Sequence, residues 1–456
     1  MDAIINLSNA IGDIVWGPPF LVLLIATGLY LTVRIGFFQF THLGHAWKYT
    51  FGSLFRKDKA EDDAELGAIT SFQSVSSAMA ATIGVGNIAG VATAIFLGGP
   101  GAVFWMWLSA LVGMATKFGE ASLGVKFRNT NPDGSFSGGV MQYIENGLGS
   151  GWKWLSILYA VFAGLAALGI GNMVQSNTVA TAMTEFGLEP WITGVIIVVL
   201  VGLVTLGGIE RIAKTAEKVV PTMAVIYIVG SVIILVLNIT QIPAALGDIF
   251  YYAFNPYAAG AGGAGVAVAA TIRFGIARGV FSNEAGLGAA SIVHAQAKNS
   301  PSRQGMWGIW EVFIDTIIVC SMTALVILTT GALDSGSTGA ELTTLAFNRG
   351  LPGPGGYIIL ISIVFFAYTT MLTWNFYGEK SWEYIFGRNV VVPYRILFLA
   401  FLFIGAVGGL EVIWGVADTL NGLMIAPNLI ALLLLGGVLA KEKNKYMEKH
   451  DLKDKK

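Results

Sequence analysis

The sequence predicts an all-helical, polytopic membrane protein with eleven transmembrane helices, two of which are broken in mid-membrane. The 456 residues are 55% apolar and only 12% charged, whereas a soluble domain carries about 25% charged residues. Eleven segments are long and apolar enough to cross a hydrocarbon core of about 30 Å. Two of them also carry glycine and polar residues near their centres.

This composition excludes several classes of protein. A chain of this length with so little polar surface is not expected to be a soluble enzyme, a disordered scaffold or a nucleic-acid binder. The formal net charge of -1 gives no basic bias. The single cysteine, Cys320, excludes a disulfide framework, and four histidines leave little for a zinc site.

The predicted spans lie near residues 15–37, 70–96, 101–126, 154–184, 190–208, 219–238, 264–294, 306–330, 356–378, 393–411 and 418–440. The first is not expected to be a signal peptide, because the residues before it hold no Lys or Arg and its apolar run is too long. Residues 38–66 are predicted to form an amphipathic helix on the inner surface, followed by an acidic stretch from Glu61 to Glu65. The chain therefore divides into an N-terminal helix and surface loop (1–66), a ten-helix core (67–440) and a lysine-rich tail (441–456).

The positive charges predict the orientation, because Lys and Arg concentrate in cytoplasmic loops. They cluster after spans one, three, five, seven and nine and in the tail, whereas the other connections hold one positive residue, Arg349. We therefore expect a plasma-membrane protein with its amino terminus outside and its carboxyl terminus in the cytoplasm. This alternation requires an odd number of spans.

Spans two and seven are predicted to be broken. At 1.5 Å per residue they would be about 40 Å and about 46 Å long, and their centres, residues 76–90 and 273–288, are rich in glycine and polar residues. Irregular backbone at this depth survives only around a protein-lined cavity. There, the ends of half-helices offer N–H groups to a carboxylate and carbonyls to a cation. Close helix packing is the alternative explanation for any single glycine.

The two predicted breaks each open a set of five spans. Because five is odd, the two sets have opposite topology, which is the arrangement of inverted-repeat transporters. The repeats are expected to cover about residues 67–240 and 260–440. Two polar, glycine-rich segments at corresponding places in the repeats favour a binding site over packing.

Two motifs resemble the sodium:alanine symporter family, whose members are also called alanine or glycine:cation symporters. Residues 98–113, GGPGAVFWMWLSALVG, match that family's signature, and residues 276–288, IARGVFSNEAGLG, are typical of it. The resemblance extends over essentially all spans. It implies a leucine-transporter-type fold and uptake of alanine or glycine driven by co-transported Na+, with no organic cofactor. The implied partners are the small neutral amino acid and the lipid bilayer.

The resemblance also implies site residues around the glycine-rich break of the first core helix. Thr82 and Gly86 stand at the positions that contact the substrate carboxylate, and Gly84 lies between them in the break. For sodium, the implied ligands are the carbonyls of Ala80 and Ile83, the adjacent hydroxyls of Thr369 and Thr370 and, for a second ion, Asn87.

Further candidate contacts are polar and aromatic residues inside the spans. Asn172 and Gln175 share a helix face, and each could form an interhelical hydrogen bond or contact the substrate ammonium, with Gln175 the stronger candidate. Phe274 and Trp374 could wall a small pocket or simply belong to the core. The remaining candidate substrate contacts are Gly275, Gly279 and Met371.

Ionisable residues within the predicted spans are expected to be paired or functional. The candidates considered are Glu120, Arg273, Arg278, Glu284, Glu311 and Asp315. An ion pair of Arg278 with Glu120 or Asp315 is predicted to brace the broken helices or to act as a gate. The alternative is a proton relay, which would make the protein a proton-coupled transporter of the same fold. Residues 339–348 are predicted to form a short helix in an outer lid.

Two other functional classes find no support in the sequence. A selective channel needs filter loops or rings of oligomer repeats, and the chain shows neither. An intramembrane enzyme needs a catalytic arrangement such as Ser/His, Asp/Asp or HExxH, and a nucleotide site needs a phosphate-binding loop. We therefore predict a transporter rather than an enzyme.

Overall fold

The computed structural model describes residues 2–55, 67–132, 134–257, 267–408 and 411–454. In these ranges the chain is almost entirely helical. The short strands β1 (Asn129–Thr130) and β2 (Phe136–Ser137) pair antiparallel, with Asn129 opposite Ser137. The predicted class, an all-helical membrane protein, is confirmed.

The described part of the amino-terminal half contains fourteen α-helices. They are α1 (Asp2–Val15), α2 (Pro18–Arg34), α3 (Phe38–Thr41), α4 (Leu43–Tyr49), α5 (Phe51–Leu54), α6 (Ser71–Thr82), α7 (Val91–Gly98), α8 (Ala102–Lys126), α9 (Val140–Leu148), α10 (Lys153–Leu168), α11 (Val174–Thr184), α12 (Pro190–Thr205), α13 (Gly208–Leu237) and α14 (Ile242–Tyr252). A π-helical turn, Gly86–Gly90, precedes α7, and a second, Gly169–Met173, joins α10 to α11.

Nine more α-helices follow among the described residues of the carboxyl-terminal half. They are α15 (Val268–Asn283), α16 (Ala290–His294), α17 (Pro301–Val312), α18 (Ser321–Thr329), α19 (Gly339–Gly350), α20 (Pro354–Phe386), α21 (Val391–Val407), α22 (Glu411–Leu423) and α23 (Ile425–Asp454). A π-helical segment, Phe313–Cys320, joins α17 to α18. Single 3-10 turns cover Ser150–Trp152, Ile239–Gln241, Ala332–Ser335 and Arg388–Val390.

Within the described ranges, eight helical segments are long and apolar enough to cross a membrane. A ninth crossing is the pair Ser71–Thr82 and Gly86–Gly98, which is bent by 48° at its break. Helix α12 is apolar but short, and α15 with α16 makes a second interrupted segment. The structure thus matches eight or nine of the eleven predicted spans by length and composition.

Both predicted breaks are confirmed. Helix α6 begins at a capping box between Thr70 and Gln73, ends at Thr82, and helical geometry resumes only around Gly86. Helix α15 ends at Asn283, and the chain does not become helical again until Ala290. The second break contains Gly286 and Gly288 at φ values of 105° and 79°, a region that L side chains rarely adopt.

The segment before the core differs from the prediction. Residues 2–15 form the separate helix α1, which packs against α22, and a turn precedes α2, whose first residue is Pro18. Proline is favoured at that position because its missing N–H would have no helical partner. The Trp16 Nε1 donates to the Asp418 carbonyl at 3.0 Å and fixes the turn.

The predicted surface helix is wrong in detail, because residues 38–54 form three short helices, α3 to α5. The chain turns at Phe37, which has a φ of 56°. Trp47 and Phe51 then pack on Trp310 and Trp307 of α17, with ring centroids 5.5 and 4.8 Å apart. These aromatic contacts hold the segment against the protein. Residues 56–66, including the acidic stretch, lie outside the described residues.

Two predicted site glycines belong to helix packing. A Cβ on Gly275 would overlap the carbonyl oxygen of Ala102, and one on Gly279 would lie 2.7 Å from the Ser109 Oγ. Both contacts are to α8, which packs along α15. Gly275 and Gly279 therefore allow α15 to approach α8 closely, and contact of these glycines with substrate stays a prediction.

Candidate substrate and sodium site

A small buried cavity lies where the two broken helices meet α20 and the π-turn between α10 and α11. Its lining residues are Ala81, Thr82, Gly84, Val85, Gly86, Ile170, Gln175, Phe281, Glu284, Thr370, Trp374 and Asn421. The cavity volume is about 20 Å³, which is room for about one water molecule. It must widen to accept a molecule as large as an amino acid.

Five of the nine predicted substrate residues meet at this cavity, and four do not: Gly275 and Gly279, which pack against α8, and Met371 and Phe274. Thr82, Gly84, Gly86, Gln175 and Trp374 line it. Met371 is buried in α20 but lies outside the lining, and Phe274 lines a separate outer cavity instead. Asn172 donates to the Phe398 carbonyl at 2.7 Å, so its role here is the interhelical hydrogen bond.

A hydrogen bond between two of its own residues shapes the first break, and the space around its glycines is too small for larger side chains. The Gly84 N–H donates to the Asn87 Oδ1 at 2.8 Å. A Cβ on Gly84 would lie 2.8 Å from the Thr370 Oγ1, and one on Gly86 would lie 3.3 Å from the Phe281 ring. The first turn of a helix leaves N–H groups without intrahelical acceptors. The segment beginning near Gly86 can therefore offer donors to a carboxylate.

Oxygen atoms of α6 and α20 come together beside the first break. The Thr370 Oγ1 lies 3.2 Å from the Ala80 carbonyl oxygen, and the Thr373 Oγ1 lies 3.0 Å from that of Ser77. Ile83 directly follows α6 as its C-cap residue. Hydroxyl and carbonyl oxygens of this kind are the ligands that hard cations prefer.

The two predicted hydroxyl ligands of sodium, Thr369 and Thr370, point in different directions from α20. Thr369 is turned away from α6, since its Oγ1 lies 3.1 Å from the Phe366 carbonyl and 3.5 Å from the Met223 Sδ. Adjacent residues on an α-helix point about 100° apart. Of the two threonines, only Thr370 contacts α6.

The carboxylate of Asp315 joins the two breaks. Its Oδ1 accepts from the Asn87 Nδ2 at 2.7 Å and from the Ser282 Oγ at 3.1 Å. Its Oδ2 accepts from the Thr316 Oγ1 at 2.7 Å, and this hydroxyl in turn accepts from the Asn283 Nδ2 at 3.0 Å. The first break and the end of α15 therefore share one buried polar network.

Glu120 fixes the second break. Its Oε1 accepts from the N–H groups of Gly286 and Gly288 at 2.8 and 3.1 Å, and from the Asn428 Nδ2 at 2.7 Å. Arg278, by contrast, lies over the Phe281 ring at 5.4 Å. The ion pair predicted between Arg278 and Glu120 or Asp315 is not among the contacts of these described residues, because both carboxylates bind neutral donors.

An outer cavity of about 360 Å³ adjoins the central one. Phe281 lines both cavities and so stands between them. Helix α1 and α15 face each other across the outer cavity, where the Arg273 Nη2 pairs with the Asp13 Oδ1 at 2.9 Å. Phe274, Arg278 and Asp418 also line this outer cavity, which we call the vestibule.

A buried cation, Lys117, was not predicted from the sequence. The Lys117 Nζ lies 3.1 Å from the Glu311 Oε1, and the His294 Nε2 lies 3.0 Å from the Glu311 Oε2, with all three side chains fully buried. A lysine inside the third predicted span, three residues before Glu120, was the available signal. Phe281 and Asn421 were also missed, because nothing local in the sequence distinguishes them from packing residues.

A polar cavity between two broken helices, within a bundle of apolar helices, is the arrangement of a secondary transporter. The chain belongs to the sodium:alanine symporter family, which it matches over residues 1–456. It is 46% identical to the sodium/alanine symporter AgcS of Methanococcus maripaludis, with 97% of each chain covered. The predicted family is confirmed, and the protein is a transporter rather than an enzyme.

Solved structures show the same fold. The crystal structure of MhsT in complex with L-phenylalanine is similar with a TM-score of 0.56 at 13% identity, covering 83% of this chain and 99% of that one. A manganese transporter of Eremococcus coleocola, in complex with an aromatic bis-isothiourea substituted compound, gives a TM-score of 0.54 at 15% identity, covering 83% of each chain. These likenesses show the leucine-transporter-type fold, as predicted.

Proposed function

We propose that this protein is a sodium-coupled symporter that imports a small neutral amino acid, alanine or glycine, by alternating access. The observation that carries the proposal is the meeting of the first break with α20. There, the donors around Gly86 and the oxygens of Ala80 and Thr370 lie beside the same buried cavity. Membership of the family and the name of the Methanococcus relative support sodium and alanine as the two solutes.

In the proposed site, the substrate carboxylate binds the N–H groups around Gly86, close to Thr82 and Gly84. Na+ binds the carbonyls of Ala80 and Ile83 together with the Thr370 hydroxyl, and so ties α6 to α20. Asn87 serves the substrate site through the backbone of the break, since its Oδ1 is occupied by the Gly84 N–H.

The size of the substrate is proposed to be set by the aromatic wall of the cavity. Trp374 is only 2% exposed, and Gly171 packs directly against its Cβ. Ile170 and Phe281 complete the apolar part of the lining. Enclosure of this kind favours a methyl or hydrogen side chain over a longer one.

We also propose a topology of eleven spans. In it, α12 is one span and the interrupted pair α15 and α16 is another, although neither is long enough to be counted by length alone. The core then consists of two five-span repeats, residues 67–240 and 260–440, preceded by α1 and α2. With the amino terminus outside, the vestibule beside α1 opens to the exterior. The plasma membrane is the proposed location.

Uptake of alanine by proteoliposomes tests the function. An inward sodium gradient is expected to drive accumulation, and an inside-negative potential adds about 2.3 kcal/mol per charge per 100 mV. Choline in place of sodium on both sides is expected to abolish accumulation. Accumulation that persists without sodium on either side contradicts sodium coupling.

Proton coupling in the same fold is the second candidate, because the site is surrounded by buried carboxylates. Glu120, Glu284, Glu311 and Asp315 are each at most 3% exposed. A pH gradient applied without sodium distinguishes the two: proton coupling requires it to drive uptake, whereas sodium coupling predicts none.

A further inference from the structure

The second break places a carboxylate at the central cavity. Glu284 is the first residue after α15 and has a φ of 56°, in the left-handed region that a glutamate rarely adopts. The backbone around it is fixed, since its N–H donates to the Val280 carbonyl at 2.8 Å and its carbonyl accepts from the Leu287 N–H at 3.1 Å. Such a conformation persists where the surroundings impose it, often at ligand sites.

One oxygen of this carboxylate is held and the other is free among the described residues. The Glu284 Oε1 accepts from the Trp374 Nε1 at 3.2 Å, whereas the buried Oε2 has no hydrogen-bond partner. The side chain is 3% exposed. A buried charged group without a partner is costly, so the site is incomplete unless a donor reaches Oε2.

Two neutral acceptors in the same lining are also free. The Gln175 Oε1 and the Asn421 Oδ1 are buried without partners in the described part of the chain. The orientation of the Gln175 amide is fixed because its Nε2 donates to the Ile170 carbonyl at 3.0 Å. Three unpartnered acceptor oxygens around one cavity match the three N–H donors of a primary ammonium group.

The surrounding charges also favour a cation. The groups that interact electrostatically with Glu284 are Lys117, Glu120 and Glu311. Lys117 and His294 both contact Glu311, at 3.1 and 3.0 Å, so the ion pair of Lys117 is with Glu311 and not with Glu284. The carboxyl end of α15 adds the negative end of its helix dipole.

We propose that Glu284 binds the α-ammonium group of the substrate through Oε2, with Gln175 and Asn421 as the other two acceptors. This inference rests on the proposed function and extends it, because it assigns the carboxylate and the ammonium group of the substrate to different breaks. The carboxylate meets the first break around Gly86, and the ammonium meets the second at Glu284. Trp374 holds the carboxylate of Glu284 in place.

Sodium is the other cation that could use these oxygens, and the experiment separates the two. Binding of radiolabelled alanine at saturating sodium, and of ²²Na+ without alanine, is measured on the purified full-length protein and on Glu284→Gln. We expect alanine affinity to fall by about 10- to 150-fold, as for loss of a hydrogen bond to a charged group. We expect ²²Na+ affinity to stay at the wild-type value. In the wild type, propionate, which lacks the ammonium group, is expected not to compete with alanine.

Further variants keep the inference testable. Asn421→Ala is expected to weaken alanine binding by about tenfold without affecting ²²Na+, which provides a reading if Glu284→Gln fails to fold. Glu341→Gln, a matched loss of charge on the exposed lid helix α19, is expected to bind both solutes like the wild type.

Three results overturn the inference: loss of ²²Na+ binding in Glu284→Gln, wild-type alanine affinity in a folded Glu284→Gln or Asn421→Ala variant, or competition by propionate as strong as by glycine. The proposed function fails differently, because wild-type proteoliposomes would then show no sodium-driven alanine uptake at all.

Discussion

Replacing Thr370 by alanine tests the proposed sodium site most directly. The substitution removes the hydroxyl oxygen that lies 3.2 Å from the Ala80 carbonyl oxygen, and Na+ bound between α6 and α20 then loses one ligand. An interaction of this kind with a charged group contributes about 1.5–3 kcal/mol, or about 10- to 150-fold in affinity. We expect the sodium concentration for half-maximal alanine uptake to rise by that factor. The maximal rate at saturating sodium is expected to change little.

The assay is alanine uptake into proteoliposomes at a fixed membrane potential, with sodium varied and choline keeping the ionic strength constant. Thr370→Ser keeps the oxygen and is expected to restore the sodium dependence. Thr369→Ala is the neighbouring control, because the Thr369 hydroxyl bonds to Phe366 and Met223 rather than to α6. A wild-type sodium dependence in Thr370→Ala, or an equal shift in Thr369→Ala, would refute the assignment.

Three further predictions concern selectivity, packing and pH. Trp374→Ala removes the aromatic wall, so discrimination against leucine in competition assays is expected to fall by about tenfold or more; unaltered selectivity removes Trp374 from the pocket. In Gly275→Ala the new methyl group overlaps the backbone of α8, so the free energy of unfolding is expected to fall by about 1–3 kcal/mol, measured as a lower midpoint of thermal unfolding. Gly247→Ala is the control, because Gly247 has open space around it, and it is expected to have no such effect. The hydrogen bond from Tyr384 lowers the pKa of Glu145 from its ordinary 4.5. This bond therefore stabilises the fold above pH 4.5, and its contribution is lost as the pH falls through the lowered pKa. Tyr384→Phe is expected to remove this acid-sensitive part of the thermal stability, and a midpoint of thermal unfolding that depends on pH as in the wild type contradicts the prediction.

The breaks could be predicted from sequence because their signals are local. A predicted span that is too long for the bilayer and rich in glycine can be recognised without knowing which helices pack against it. The same holds for the residues next to the first break, Thr82, Gly84 and Gly86, which do line the cavity. The short helix predicted at residues 339–348 is confirmed as α19, whereas its place in an outer lid stays a prediction.

The partners of these residues could not be predicted, because they come from distant parts of the chain. Gly275 has the same local appearance as Gly86, yet it faces α8 rather than the cavity. Arg278 was expected to pair with a buried carboxylate, but Glu120 is taken by backbone N–H groups of the second break. Asn421 reaches the cavity from α22, and no spacing rule connects it to Glu284.

The hydrogen-bond network around Asp315 explains how binding at one break can affect the conformation of the other. Asn87 bonds both to the Gly84 N–H of the first break and to the Asp315 carboxylate, which also accepts from Ser282 near the end of α15. A buried donor or acceptor left without its partner costs about 1–3 kcal/mol. Movement of either break that separates these groups must therefore be matched by the other break, or the polar network is left unsatisfied. The two halves of the substrate zwitterion would thus act on one coupled structure, which is what alternating access requires of a single site.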